Sequence, residues 1–297
     1  MSSLLTRNAE LLWIRLMRAD NSDVPHNRQQ LLYYYFGMKI LLIKLLLKDS
    51  PSTRCAINLE TLILRRIIAN LHEALYQYAL ALVSTGQCAT AMIHLNLSII
   101  RGHLPSRALK THMMIDGREG VAKDENGAFE LVEEGARLGC YHCQGVMALC
   151  YRYGYGCMRN EARSLELARE SSGLGSRYGQ HVLGLFYRYG GGGVAEDYAQ
   201  ALALYRLAAA QNFGGAQFSL GSMHYLGRGV AEDVAEALRL FQLAAAQGHP
   251  NALFWVAFCH ERGRGIPENK AEAIRWYRRA LAAGCPKAAA ALQRLRA

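Results

Sequence analysis

Four cysteines fall close together at Cys140, Cys143, Cys150 and Cys157, with His142 among them. Thiolate and imidazole are zinc ligands, and a Cys-x2-Cys pair is half of a structural zinc site. The second half is missing, because Cys150 and Cys157 stand seven residues apart. On a helix, Cys143 and Cys150 would share a face about 10 Å apart, too far for one small ion. No metal is expected. A second candidate is GRGVAEDVAEAL, Gly227 to Leu238, a glycine loop running into a helical pattern. A phosphate cradle of the P-loop type needs a strand before it, and a Lys followed by Ser or Thr after it. Neither is there. Gly173-Leu-Gly175-Ser-Arg-Tyr-Gly179 has the wrong last spacing for a dinucleotide loop and no strand in front. The ten histidines are scattered in sequence, with no nucleophile elbow or Ser-x-x-Lys pair beside them. No catalytic residue and no cofactor are expected.

The glycine loop has another explanation, because it recurs. REGVAKD ends at Asp124, YGCMRN at Asn160, GGGVAED at Asp197, GRGVAED at Asp233 and GRGIPEN at Asn269. The hydrophobe inside each loop is Val121, Cys157, Val194, Val230 and Ile266, at intervals of 36, 37, 36 and 36. One extra glycine in the run Gly190 to Gly193 accounts for the 37. A fixed period of this size signals stacked supersecondary units. Each unit reads as a short apolar helix (Ala216 to Gly227), the loop, then a longer amphipathic helix (Asp233 to Gly248). In the longer one, Ala237, Leu240, Phe241, Ala244 and Ala245 make the apolar stripe. Asp197, Asp233 and Asn269 stand at capping-box spacing. The side chain would take a free backbone N–H, and the Gln or Glu three residues on would reach back to the cap's own N–H.

These residues resemble the Sel-one-like repeat family. Leu220-Gly221, Gly227, Gly229-Val230, Asp233, Ala237, Phe241, Ala244-Ala245, Gly248 and Ala252 fit its pattern, and the units around Gly184 and Gly265 fit nearly as well. The match weakens from about 108 to 180, where Met147-Ala148 replaces Leu-Gly. The resemblance implies an all-α fold: a right-handed α-solenoid of stacked antiparallel helix pairs with a helical N-terminal cap. Gly184, Gly221 and Ala257 should mark close helix approaches. It also implies a non-catalytic adaptor that binds a peptide segment or helical surface of a protein partner in a concave groove lined by the first helices. The candidate groove residues are Arg152, His181, Arg188, Phe218, Tyr225, Phe254, Phe258 and Glu261. Some cysteine-rich relatives carry a disulfide in every unit; this chain lacks Cys in most units, so that pairing is not expected.

The organisation then falls into three parts. Residues 1–70 form an N-terminal helical region, a targeting or capping segment. Residues 71–107 read as a tetratricopeptide-like helix pair without the glycine loop, and 108–297 as the repeat array with a C-terminal capping helix. Net charge is +10, with ten basic and five acidic residues in 1–70. Such a balance suits an acidic partner, RNA or an anionic membrane surface. Nucleic acid is not expected, for there is no compact Lys/Arg run, RNP-like motif or zinc-finger spacing. The run Leu31 to Asp49 is nearly long enough to span a bilayer, but Lys39 and Lys44 lie inside it. Each would cost about 3 kcal/mol at the bilayer centre. Eight cysteines without a convincing secretory signal suggest reduced thiols, hence a cytoplasmic location, with organelle targeting or membrane association as the alternative. The alternative function is a basic membrane-associated or RNA-associated protein that would use residues 1–70, with 1–50 as the membrane contact, together with the basic cluster Arg275, Arg278, Arg279, Lys287, Arg294 and Arg296.

Overall fold

A computed structural model describes residues 72–118 and 120–296. They form helices throughout: α1 (72–84), α2 (Cys88–Ile100), α3 (Leu104–Asp116), α4 (Glu125–Arg137), α5 (Tyr141–Tyr153), α6 (Glu161–Gly173), α7 (Arg177–Tyr189), α8 (Tyr198–Ala210), α9 (Gly214–Leu226), α10 (Val234–Ala246), α11 (Pro250–Arg262), α12 (Lys270–Ala282) and α13 (Lys287–Arg296). No strand occurs among the described residues, only a lone bridge between Gly191 and Val194 inside the glycine run. Each helix packs on the next in sequence from α2 onward, and α5 also packs on α7. The fold is an all-α solenoid. The segment 1–70, including the apolar run at Leu31, lies outside the described residues.

The loop period reappears as a period of caps. Asp124, Asn160, Asp197, Asp233 and Asn269 each accept a hydrogen bond from the backbone N–H three residues on. That satisfies one of the donors a helix start leaves free. The reach-back half of the capping box does not form. The N–H groups of Asn160, Asp197, Asp233 and Asn269 donate instead to the carbonyls of Tyr151, Tyr187, His224 and His260 in the preceding helix. Glu236 and Glu272, left free, pair with Arg239 and Arg275. Each outer helix is therefore tied to the inner helix before it through the backbone of its own cap.

The expected difference in helix length is absent. Both members of each complete pair span 13 residues, because α9 begins at Gly214, earlier than expected. Glycine is a poor helix residue on its own, but Gly214 and Gly215 are buried here against Gln247 and Phe213, where tertiary contact decides. At the turn before α9, Asn212 occupies the left-handed position (φ 55°) filled by glycine before α5, α7, α11 and α13. Asparagine tolerates that region, and its Oδ1 accepts from Gln217 and Gln247 at 3.0 and 3.2 Å.

Inner helices carry glycine where an outer aromatic ring lies against them. A Cβ on Gly184 would stand 2.6 Å from the Tyr205 ring, and one on Gly221 would stand 2.9 Å from Phe241 and 3.2 Å from the Ala237 carbonyl. Gly221→Leu is predicted to lower unfolding free energy by about 1–3 kcal/mol through overpacking. Urea denaturation would measure this, and an unchanged midpoint would mean that α9 and α10 do not meet at that glycine.

Candidate binding surface

Outer helices α8, α10 and α12 expose much of their surface, whereas α5, α7, α9 and α11 expose little. The first helix of each pair is thus the inner one. Where an inner helix does reach solvent is at its C-terminal end. Tyr153, Tyr189 and Leu226 are 50%, 53% and 49% exposed, and Arg262 continues the column at the next interval. Sequence reasoning passed over this column, although its 36- and 37-residue spacing was available. The Arg188 guanidinium sits 5.0 Å above the Tyr189 ring.

Of the eight residues expected to line a groove, Arg152, Arg188, Tyr225 and Glu261 each precede a member of that column by one position, and the others lie further back along the inner helices. Arg152 stacks on the buried Phe186 ring at 4.2 Å. Arg188 is buried and donates to Ser222 Oγ at 2.9 Å in the following inner helix. His181 meets Ser219 at 3.2 Å and the rings of Tyr205 and Phe213. Phe218 stacks on His249 with centroids 4.8 Å apart. Glu261 is buried, accepting from Tyr277 at 2.6 Å and Arg294 at 2.7 Å. Much of this stripe, therefore, joins one unit to the next.

Tyr225, Phe254 and Phe258 differ in gathering around Trp255, which sequence reasoning missed. Trp255 lies 4.8 Å from Tyr225, 5.4 Å from Phe258 and 6.4 Å from Phe254. All four are half-buried. Arg264 lies 5.2 Å from the Tyr225 centroid and Arg262 6.0 Å from that of Phe258. Half-buried aromatics with arginines over their faces are the side chains that anchor protein interfaces. In the preceding units the place of Trp255 is taken by Ser219, Val182 and Val146, so the patch belongs to the C-terminal half.

The scattered histidines do converge. His112 and His181 approach Phe213 at 5.1 and 5.3 Å, and His142 approaches Tyr178 at 6.2 Å. His112 Nδ1 and Arg118 both contact the Asp116 carboxylate, at 3.2 and 3.1 Å. Burial, with Arg118 and Arg177 close by, lowers the His112 pKa to about 4. Burial likewise lowers His142 and His249 to about 4, and His181 to about 3. Burial would raise Asp116, but His112, Arg118 and His249 outweigh it and hold the carboxyl below its ordinary range.

Among the described residues, no group of three or more His, Cys, Asp or Glu comes together to hold a metal, and the seven described cysteines are free thiols. Cys143 is buried beside Gly135, with its Sγ 3.5 Å from the Leu104 carbonyl. Of the C-terminal cations, Arg294 is engaged by Glu261 and Arg275 by Glu272, while Arg279 lies 4.3 Å over the Trp276 ring. No helix among the described residues is long and apolar enough to cross a membrane.

Comparison with known families matches one, described as Sel1 repeat, at residues 112–140, 142–176, 177–213, 215–249 and 250–285, together more than half of the chain. No curated protein matches the chain. Solved structures similar to it include a Sel1 repeat protein from Oxalobacter formigenes, with 23% identity, 73% of this chain and 86% of that one covered, and a TM-score of 0.48. Another is c5321, a protective antigen of uropathogenic Escherichia coli with an SLR fold: 25% identity, 75% and 48% covered, TM-score 0.45. The chain thus spans about half the length of c5321. A third, a Sel1 repeat protein from Klebsiella pneumoniae, has 20% identity, 66% and 94% covered, and a TM-score of 0.43.

Proposed function

The chain belongs to the Sel1 repeat family, and from that premise we propose that it is a non-catalytic adaptor holding an extended segment of a partner protein along its inner helices. Sel1 repeat proteins are generally protein-interaction scaffolds. The observation that carries the finer reading is the exposed column Tyr153, Tyr189, Leu226 and Arg262, which runs on into the half-buried patch around Trp255. An exposed side chain recurring once per unit meets an extended ligand at intervals of several residues, and contact area rather than converging polar groups provides the affinity. Arg262, whose side chain is more than half exposed beside these rings, favours acidic residues among the apolar ones of the segment; Arg188 is buried and Arg264 pairs with Glu232 at 2.9 Å.

Selection of a displayed random-peptide library on the full chain tests this. Enriched peptides should carry apolar and acidic residues together. Trp255→Ala and Tyr189→Ala should each weaken binding by ten-fold or more, as expected for aromatic anchors worth about 2 kcal/mol or more. Peptides that bind both variants as tightly as the parent would place the partner elsewhere.

A further inference from the structure

Helix α1 faces the turns before α9 and α11 across a cavity of about 310 Å³. Leu80, Val83 and Leu109 give it an apolar side; Arg118, Arg177 and Asn212 are among its polar lining. Among the described residues no carboxylate lines it. Both arginines are deeply buried, at 7% and 6% exposed. The charge of Arg118 is answered by Asp116 at 3.1 Å. That of Arg177 is answered by no carboxylate among the described residues; the guanidinium lies 5.0 Å from the Tyr178 ring centroid. Its guanidinium donates to Tyr178 Oη at 3.0 Å, Tyr76 Oη at 3.3 Å and the Gln211 carbonyl at 3.4 Å, all neutral. Its Nε finds no hydrogen-bond partner among the described residues. The Gln211 carbonyl, at the C-cap of α8, offers the partial negative charge of a helix end but not a full counter-charge. A buried cation without a counter-ion is costly to keep unless something pairs with it.

We propose that this cavity is a ligand site for a small organic carboxylate, whose carboxylate pairs with Arg177 and whose apolar body lies along Leu80, Val83 and Leu109. One cation without a carboxylate partner among the described residues suits a monoanion, which separates a carboxylate from a phosphate dianion. The volume is at the small end for ligand sites, so the apolar body is short. The carboxylate comes either from a free metabolite or from the C-terminus of a polypeptide, and the two are separable.

Thermal melting of the full chain at fixed ionic strength is the test. The probes are 3-phenylpropionate, its neutral amide, and a tripeptide ending in Phe with a free or an amidated C-terminus. At saturation, at least one free acid should raise the melting temperature by about 2–4 °C while its amide does not. A response to 3-phenylpropionate assigns a small-molecule ligand; a response to the tripeptide acid alone assigns a chain terminus. Arg177→Gln should abolish the response. Ser84→Glu, which brings a carboxylate of the chain's own to the cavity wall, should raise the melting temperature without ligand and abolish the response as well. The proposal is overturned if neither acid stabilises, if acid and amide act alike, or if Ser84→Glu responds as the parent does.

Discussion

Acidification from pH 7 to pH 5 removes several kcal/mol of unfolding free energy from this chain, well before its carboxylates titrate. His112, His142 and His249 are pushed down by burial to about 4, and His181 to about 3. Unfolded, each would bind a proton near pH 6.5. Between those values the unfolded chain binds more protons than the folded one, so stability rises with pH across that window and is lost as pH falls through it. At pH 5 the loss is about 1–2 kcal/mol for each histidine, discounted because His142, His181 and His249 keep partial contact with solvent. Asp116 acts in the same sense but lower, since its folded pKa is depressed below an ordinary value of 3.8; its contribution fades only below about pH 4. Urea denaturation at pH 7.5, 6.0 and 5.0 measures the slope. A flat profile above pH 5 would show that these imidazoles are not held neutral by the fold.

Replacing Phe241 with Ala should cost about 3–5 kcal/mol, the range for emptying a buried aromatic site. Phe241 is wholly buried. Its ring stands where three helices meet: against Gly221 of its own pair, 5.7 Å from Phe218, 6.4 Å from Tyr225 and 5.8 Å from Trp255 of the next inner helix. Helices held apart by the caps and loops at both ends cannot collapse fully into the space, so most of the cavity term remains. Phe241→Leu should cost less, because it refills part of the volume. Trp255 emission reports the same site from the other side: stacked on Phe241 at 24°, it should shift to longer wavelength as water enters. A Phe241→Ala variant with parental stability would mean that the Trp255 patch is not supported from beneath.

The repeat period and the capping residues were legible in the sequence because each is a local rule repeated five times, and the close-approach glycines, Gly184 and Gly221, because each falls at the same place in its unit. Asp233 tells its role within three residues, and Gly221 tells its role by recurring opposite an aromatic. The equal helix lengths were hidden, since Gly214 and Gly215 look like a turn until burial overrides their propensity. The reach-back of Glu236 failed for a tertiary reason: the His224 carbonyl takes the cap's N–H first. Trp255 fell outside the consensus stripe and so outside the candidate residues. The convergence of His112, Arg118, Arg177, His181 and His249 was not readable at all. Its members are separated by up to 137 positions and meet only once the inner turns are stacked.

The bond from Arg118 to the Gln247 carbonyl spans 129 residues at 3.1 Å, and the Gly86 backbone comes to rest beside the Ala246 carbonyl. A ladder whose rungs touch only adjacent rungs can shed them singly from either end. Here a strut crosses from the first rungs to the fourth, so the rungs between are restrained at both ends and not only by their neighbours. The stretch beyond His249 lies outside that strut, and Trp255, set against Tyr225 and Phe241 on the near side of the boundary, is what fastens it to the braced part.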